Sequence, residues 1–203
     1  SGQHFSKNMV SKIFDDLKLR KANINIKIQN KKDFFFEFSK KLIKFIKKIK
    51  PDLIVYHGDT FTPLASALVS YNFFPNIKNV HIESGYRSKA RNSIEEKIRK
   101  IVDKHSKINF AIRNEEKKNL SKEGINNNVY TVGNTITDKI EIKKKNIKII
   151  KLKEKYLYVT IHRAENVDYE KRFKKICLLL NKISEKINLV LAIHPRTKKM
   201  LSK

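Results

Sequence analysis

Apolar positions along this chain change rhythm repeatedly. Over residues 6–20, Met9, Val10, Ile13, Phe14 and Leu17 recur three and four apart, which predicts a helix with one apolar face. The stretch "NINIKIQ" switches to alternation through Ile24, Ile26 and Ile28 and predicts a short strand exposed on one side. Helical spacing returns with Phe34, Phe38, Leu42, Phe45, Ile46 and Ile49, behind Asp33 as the expected N-cap. Leu53 to Tyr56 is a short apolar run, as a buried strand would be. Thr62 followed by Pro63 then carries the N-cap and first-turn signals of another helix.

The same grammar continues. Strands are predicted at "NVHIE", "KINFAI", "NVYTVGN", "YLYVTIHR" and "NLVLAIHPR". Helices are predicted over about 94–105, from Asn114 to Glu123 with Gly124 as terminator, and over 168–186. Apolar strands separated by helices predict α/β architecture with Rossmann-like parallel sheets covered on both faces. A lysine-rich stretch over about 139–155 interrupts the pattern, so two domains are expected, 1–145 and 146–203. The second starts a new sheet with too few strands to stand alone.

Composition narrows the class. With 203 residues, 40% of them hydrophobic, the chain can bury a real core. No apolar run approaches the about 18 residues of a membrane helix. The first ten residues show no basic stretch leading into an apolar one, and Cys177 is the only cysteine; both features fit a cytoplasmic protein. The net charge of +26, from 46 Lys+Arg against 20 Asp+Glu, raises the question of nucleic acid. The excess is mostly lysine spread along the chain, arginine is sparse, and paired Cys/His zinc spacing and RNP-like aromatic motifs are missing, which argues against a nucleic-acid partner.

Candidate chemistry collects where the predicted strands end. These ends read His57-Gly58-Asp59-Thr60, His81-Ile82-Glu83-Ser84-Gly85, Gly133-Asn134-Thr135, His162-Arg163-Ala164-Glu165-Asn166 and His194-Pro195-Arg196. Any one of them is explained by capping of the next helix. Together they place carboxylates, imidazoles and arginines at the carboxyl edge of parallel sheets, where such folds bind ligands, and they suit acid-base work on an anionic substrate.

The motifs "HGDT", "HIESGYRS" followed by "EEKIR", "VGNTITD", "VTIHRAENVD" and "HPRT", with "SGQH" at the start, resemble in order and spacing the non-hydrolysing UDP-N-acetylglucosamine 2-epimerases. The resemblance runs the whole length. It implies a glycosyltransferase-B-like two-domain fold, no metal and no NAD or other cofactor, and a homodimer or a complementing chain. It implies interconversion of UDP-GlcNAc and UDP-ManNAc by elimination and re-addition of UDP. Asp59, Glu83 and Glu95 become the acid-base carboxylates, with His162 across the cleft; which carboxylate removes the proton and which returns it stays open. Gln3, His4, Arg87, Arg99, Arg163 and His194 become substrate contacts.

Departures are visible. Ser84 and Tyr86 replace Ala and Leu of the usual E-A-G-L-R, and Ile94 and Ile98 replace Pro and Asn of P-E-E-x-N-R. The family's first strand and the remainder of its second domain have no counterpart in these residues, so an inactive or split-gene nucleotide-sugar-binding subunit is the alternative.

Overall fold

The computed structural model describes residue 20, residues 22–28, 32–88, 93–144, 152 and 154–202. The helix predicted over 6–20 lies, except for Arg20, outside the described residues, as do Gln3 and His4. Helix α1, Phe34–Ile49, follows its apolar spacing: Phe34, Phe38 and Ile46 are buried, and the rings of Phe34 and Phe38 stack with centroids 5.6 Å apart. Lys50 ends it in a left-handed cap.

Strand β1, Leu53–His57, leads into α2, Phe61–Phe73; β2, Lys78–Ser84, into α3, Ile94–Lys104; β3, Ile108–Ala111, into α4, Asn114–Lys122; and β4, Val129–Thr131, into α5, Thr135–Lys144. The four strands lie in the order β1-β2-β3-β4, all parallel. Parallel pairing requires a crossover after each strand, and the helices supply it. Tyr56 of β1, Ala67 of α2, and Ile98 and Val102 of α3 form one core cluster; Ala111, Leu120 and Val129 form another. A direct consequence is that the loops following β1, β2, β3 and β4 share one edge of the sheet.

Several expectations are corrected. Residues 24–28 form no strand; Ile26 and Ile28 instead pack against the cluster of Phe34, Phe38 and Ala65, so their alternation buries one side on helices. Thr60, not Thr62, is the N-cap of α2, and Pro63 sits within the first turn, where a missing N–H costs no helical bond. Helix α5 occupies the start of the lysine-rich stretch, and its described side chains are exposed, so it carries no apolar stripe to read.

The chain divides into two compact units, Ser1–Lys143 and Lys144–Lys203. In the second, β5, Tyr156–Thr160, and β6, Asn188–Ala192, form a two-stranded parallel sheet. The helix predicted over 168–186 is found as α7, Glu170–Ser184, and a short helix not predicted, α6, Ala164–Val167, precedes it. Strand β6 stops before His194, which caps helix α8, Pro195–Leu201. Among the described residues no helix is long and apolar enough to cross a membrane.

Leu120, fully buried in α4, ties that helix to β3 and β4. Leu120→Ala should cost about 2–5 kcal/mol of stability, read from the shift in urea midpoint at unchanged slope.

Candidate active site

The loop after β1 brings Asp59 beside α3, where its carboxylate accepts a hydrogen bond from Arg99 Nη2. Arg99 also points Nη1 at Glu96 Oε2, 3.5 Å away, and its guanidinium lies over the Tyr86 ring, 4.8 Å from the centroid. Glu96 accepts from the Ser88 backbone N at 2.8 Å, so α3 and the loop after β2 are joined through one carboxylate. The N-cap of α3 is Ser93, whose hydroxyl accepts from Glu96 N at 3.1 Å.

Glu83 stands at the end of β2, with Oε2 3.3 Å from His57 Nε2. It lines a cavity of about 460 Å³ at the carboxyl edge of the sheet, with Tyr86, Ile112, Arg113, Glu116, Asn134 and Thr137. The next residues pack tightly. A Cβ on Gly85 would stand 2.4 Å from the Glu116 carbonyl oxygen, and Gly85 has φ of 76°, so only glycine fits.

Beneath these groups lies a buried polar chain. His81 is wholly buried, with Nε2 3.0 Å from Gly58 O and Nδ1 2.6 Å from Asp103 Oδ1. Asp103, also wholly buried, accepts from Gly85 N at 3.1 Å and from Arg87 Nη2 at 2.8 Å. Arg87 makes a two-point contact with Glu123, at 2.8 and 2.5 Å, and donates from Nη1 to Tyr86 O at 2.8 Å. Burial opposes the charge on Arg87, but its bonds to Glu123 and the charge of Asp103 outweigh that and raise its pKa. Burial, opposed by the bond to Ser106 and reinforced by Asp103, pushes the Tyr56 phenol up to about 12. Glu116 is raised by burial but lowered further by its bonds to Arg113, for a net shift below the ordinary carboxylate range.

In the second unit, the ends of β5 and β6 bring His162 and His194 together, with ring centroids 5.6 Å apart. His194 Nδ1 accepts from Arg196 N at 3.1 Å, which caps α8, and Arg196 Nη1 donates to His162 O at 3.2 Å. Arg163 is exposed, with Nη1 3.7 Å from Glu165 Oε1. Among the described residues there is no group of three or more His, Cys, Asp or Glu side chains able to hold a metal ion.

The first unit therefore joins Asp59 to Arg99 directly and Arg99 to Arg87 through Glu96, while Glu83 meets His57 at the end of the adjacent strand. Glu95 is not brought to them: it is exposed in the first turn of α3, and Glu96 takes the inward position. Arg87, expected to hold substrate, has its Nε, Nη1 and Nη2 directed at Glu123, Tyr86 and Asp103. The sequence reading missed Glu96, Asp103 and Glu123. Asp103 did leave a signal, as a carboxylate next to Val102 on the face of α3 that Ile98 also buries.

Residues 1–203 match the profile of one protein family, described as UDP-N-acetylglucosamine 2-epimerase. The chain belongs to that family. It is 38% identical over 216 residues to the UDP-N-acetylglucosamine 2-epimerase of Methanocaldococcus jannaschii, covering 99% of this chain and 58% of that protein. It is 37% identical over 217 residues to the enzyme of the same name from Methanococcus maripaludis, covering all of this chain and 59% of the relative. The crystal structure of the M. jannaschii epimerase in complex with UDP-GlcNAc and UDP superposes with a TM-score of 0.81 at 35% identity, over 99% of this chain and 59% of that one. The glycosyltransferase-B-like α/β class is thereby shown. The chain spans a little under three fifths of the length of these epimerases.

Ser84 stands where the epimerase motif has alanine, and its Oγ is buried with no hydrogen-bond partner among the described residues. Ser84→Ala should stabilise the chain by about 1 kcal/mol, seen as a higher melting temperature in calorimetry.

Proposed function

We propose that this chain acts on UDP-N-acetylglucosamine in the 2-epimerase reaction, interconverting it with UDP-ManNAc. One observation carries the reading: Glu83 lines a cavity at the carboxyl edge of the sheet, beside His57, while Asp59 and Arg99 pair at the end of the neighbouring strand. Family membership and the M. jannaschii epimerase solved with UDP-GlcNAc support it.

The chemistry asks for few groups. A carboxylate removes the C2 proton, the C1–O bond to UDP breaks with its electron pair leaving on the diphosphate, and a C1=C2 double bond forms. A second group then delivers a proton to the opposite face of C2 as the UDP oxygen re-forms its bond to C1. Glu83 and Asp59 are the carboxylates assigned to proton transfer. Arg99 supplies positive charge beside Asp59, and His162, His194 and Arg163 keep the roles that the motifs assign them. The third carboxylate is Glu95 by motif and Glu96 by position. Arg87 is assigned to bracing the loop after β2. The reading keeps 1–145 and 146–203 as the two domains and a homodimer or complementing chain as the assembled form.

The test is to incubate the chain with UDP-GlcNAc and separate the two epimers by anion-exchange chromatography. UDP-ManNAc should accumulate, and Glu83→Gln or Asp59→Asn should slow it by about 10²–10⁴-fold while leaving the melting temperature within a few degrees. Glu96→Gln should reduce turnover more than Glu95→Gln. Full turnover in Glu83→Gln would refute the assignment, and nucleotide-sugar binding without turnover in the unsubstituted chain would favour the binding-subunit alternative.

A further inference from the structure

Glu83 holds a backbone conformation that its side chain disfavours. Its φ of 72° is left-handed, a region that residues other than glycine rarely adopt and that demands support from the surroundings. The ladder between β2 and β3 slips at the same place. Ile82 pairs with Phe110 and Ser84 with Ala111, so Glu83 is the extra residue of a bulge, which turns its side chain out of the strand's alternation.

The support sits on both sides of the bulge and comes from a single side chain. Two residues before Glu83, the ring of His81 meets Oδ1 of Asp103 at 2.6 Å; two residues after it, the amide of Gly85 donates to Oδ2 of the same carboxylate at 3.1 Å. The other ring nitrogen of His81 reaches Gly58 O at 3.0 Å, immediately before Asp59. Arg87, backed by Glu123, gives Asp103 a cationic partner, so that the carboxylate stays paired although wholly buried.

We propose that Asp103 is a positioning residue for Glu83: its carboxylate clamps residues 81 and 85 and so fixes the left-handed turn from which Glu83 reaches the cavity. Through His81 and Gly58 the same clamp sets the loop that carries Asp59. Asp103 touches no substrate in this account, and its kinetic consequence rests on the epimerase reading above. The clamp itself does not.

The experiment uses the full chain labelled with ¹⁵N and ¹³C, unsubstituted and as Asp103→Asn, which leaves one oxygen where the clamp uses two. A positive φ brings the amide and α protons of one residue close, so Glu83 should give a strong intraresidue HN–Hα cross-peak in the unsubstituted chain. In Asp103→Asn that cross-peak should weaken to the level of its strand neighbours, and kcat per folded molecule should fall at least about tenfold with KM within about twofold. His81→Gln, which offers an amide donor to Gly58 O and removes the ring's contact with Asp103, should move both readouts in the same direction by less, and it decides the matter if Asp103→Asn does not fold. A purely structural role would lower the melting temperature and leave the Glu83 cross-peak and kcat unchanged, and that result in a folded variant overturns the proposal. If the unsubstituted chain turns over no UDP-GlcNAc, the epimerase reading fails, while the cross-peak comparison still decides for or against the clamp.

Discussion

The candidate site of the first unit depends on a buried anion. A carboxylate moved out of water is tolerated only when charge and hydrogen bonds replace its hydration, and Asp103 obtains both, from His81, Gly85 N and Arg87. These partners lie on β2 and the loop that follows it, whereas Asp103 itself sits in the last turn of α3. The contact therefore fastens a helix to the end of a strand at the point where the strand must leave its regular pleat. Glycine at 85 and the bulge at Glu83 allow the chain to pass there, and the clamp selects one of the paths that they permit.

Around that fixed point the exposed chemistry falls into place. Asp59 and Glu83 end adjacent strands, because β1 and β2 are parallel and paired from Leu53 with Lys78 to His57 with Ile82. Arg99 and Glu96 come from one face of α3 and meet the two loops from the side. The result is a carboxylate-rich edge with guanidinium groups interleaved. Such an arrangement suits acid-base work on an anionic substrate, provided its members are set before the substrate arrives.

The strand-helix alternation was legible where strands are apolar runs, as in β1 and β6, and where a helix carries a stripe, as in α1 with Phe34, Phe38 and Ile46. Where burial is absent the signal is absent too: α5 exposes its described side chains and hides in a run of lysines. Ile24, Ile26 and Ile28 misled for the opposite reason, since alternation reports a two-sided segment and is silent about whether a neighbouring strand pairs with it. Asp59, Glu83 and Arg99 were legible from their place after strands and within a motif. Glu96 and Glu123 were not, and Asp103 only through its place beside Val102, because their roles depend on which side of a helix faces the loop after β2, and that is settled by tertiary packing. The exposure of Glu95 and the inward turn of Glu96 differ by one residue, about 100° of helix, which no spacing argument over so short a stretch resolves.

The central claim is that these strand-end carboxylates exchange the proton on C2 of a UDP-sugar. The direct measurement is ¹H NMR of UDP-GlcNAc incubated with the chain in deuterium oxide, following the C2 proton resonance alongside the anomeric signals of the two epimers. The account predicts that the C2 signal disappears as deuterium enters and that the UDP-ManNAc formed carries deuterium at C2. Epimer formed with its original C2 proton retained, or no exchange at all in a folded sample, would contradict it.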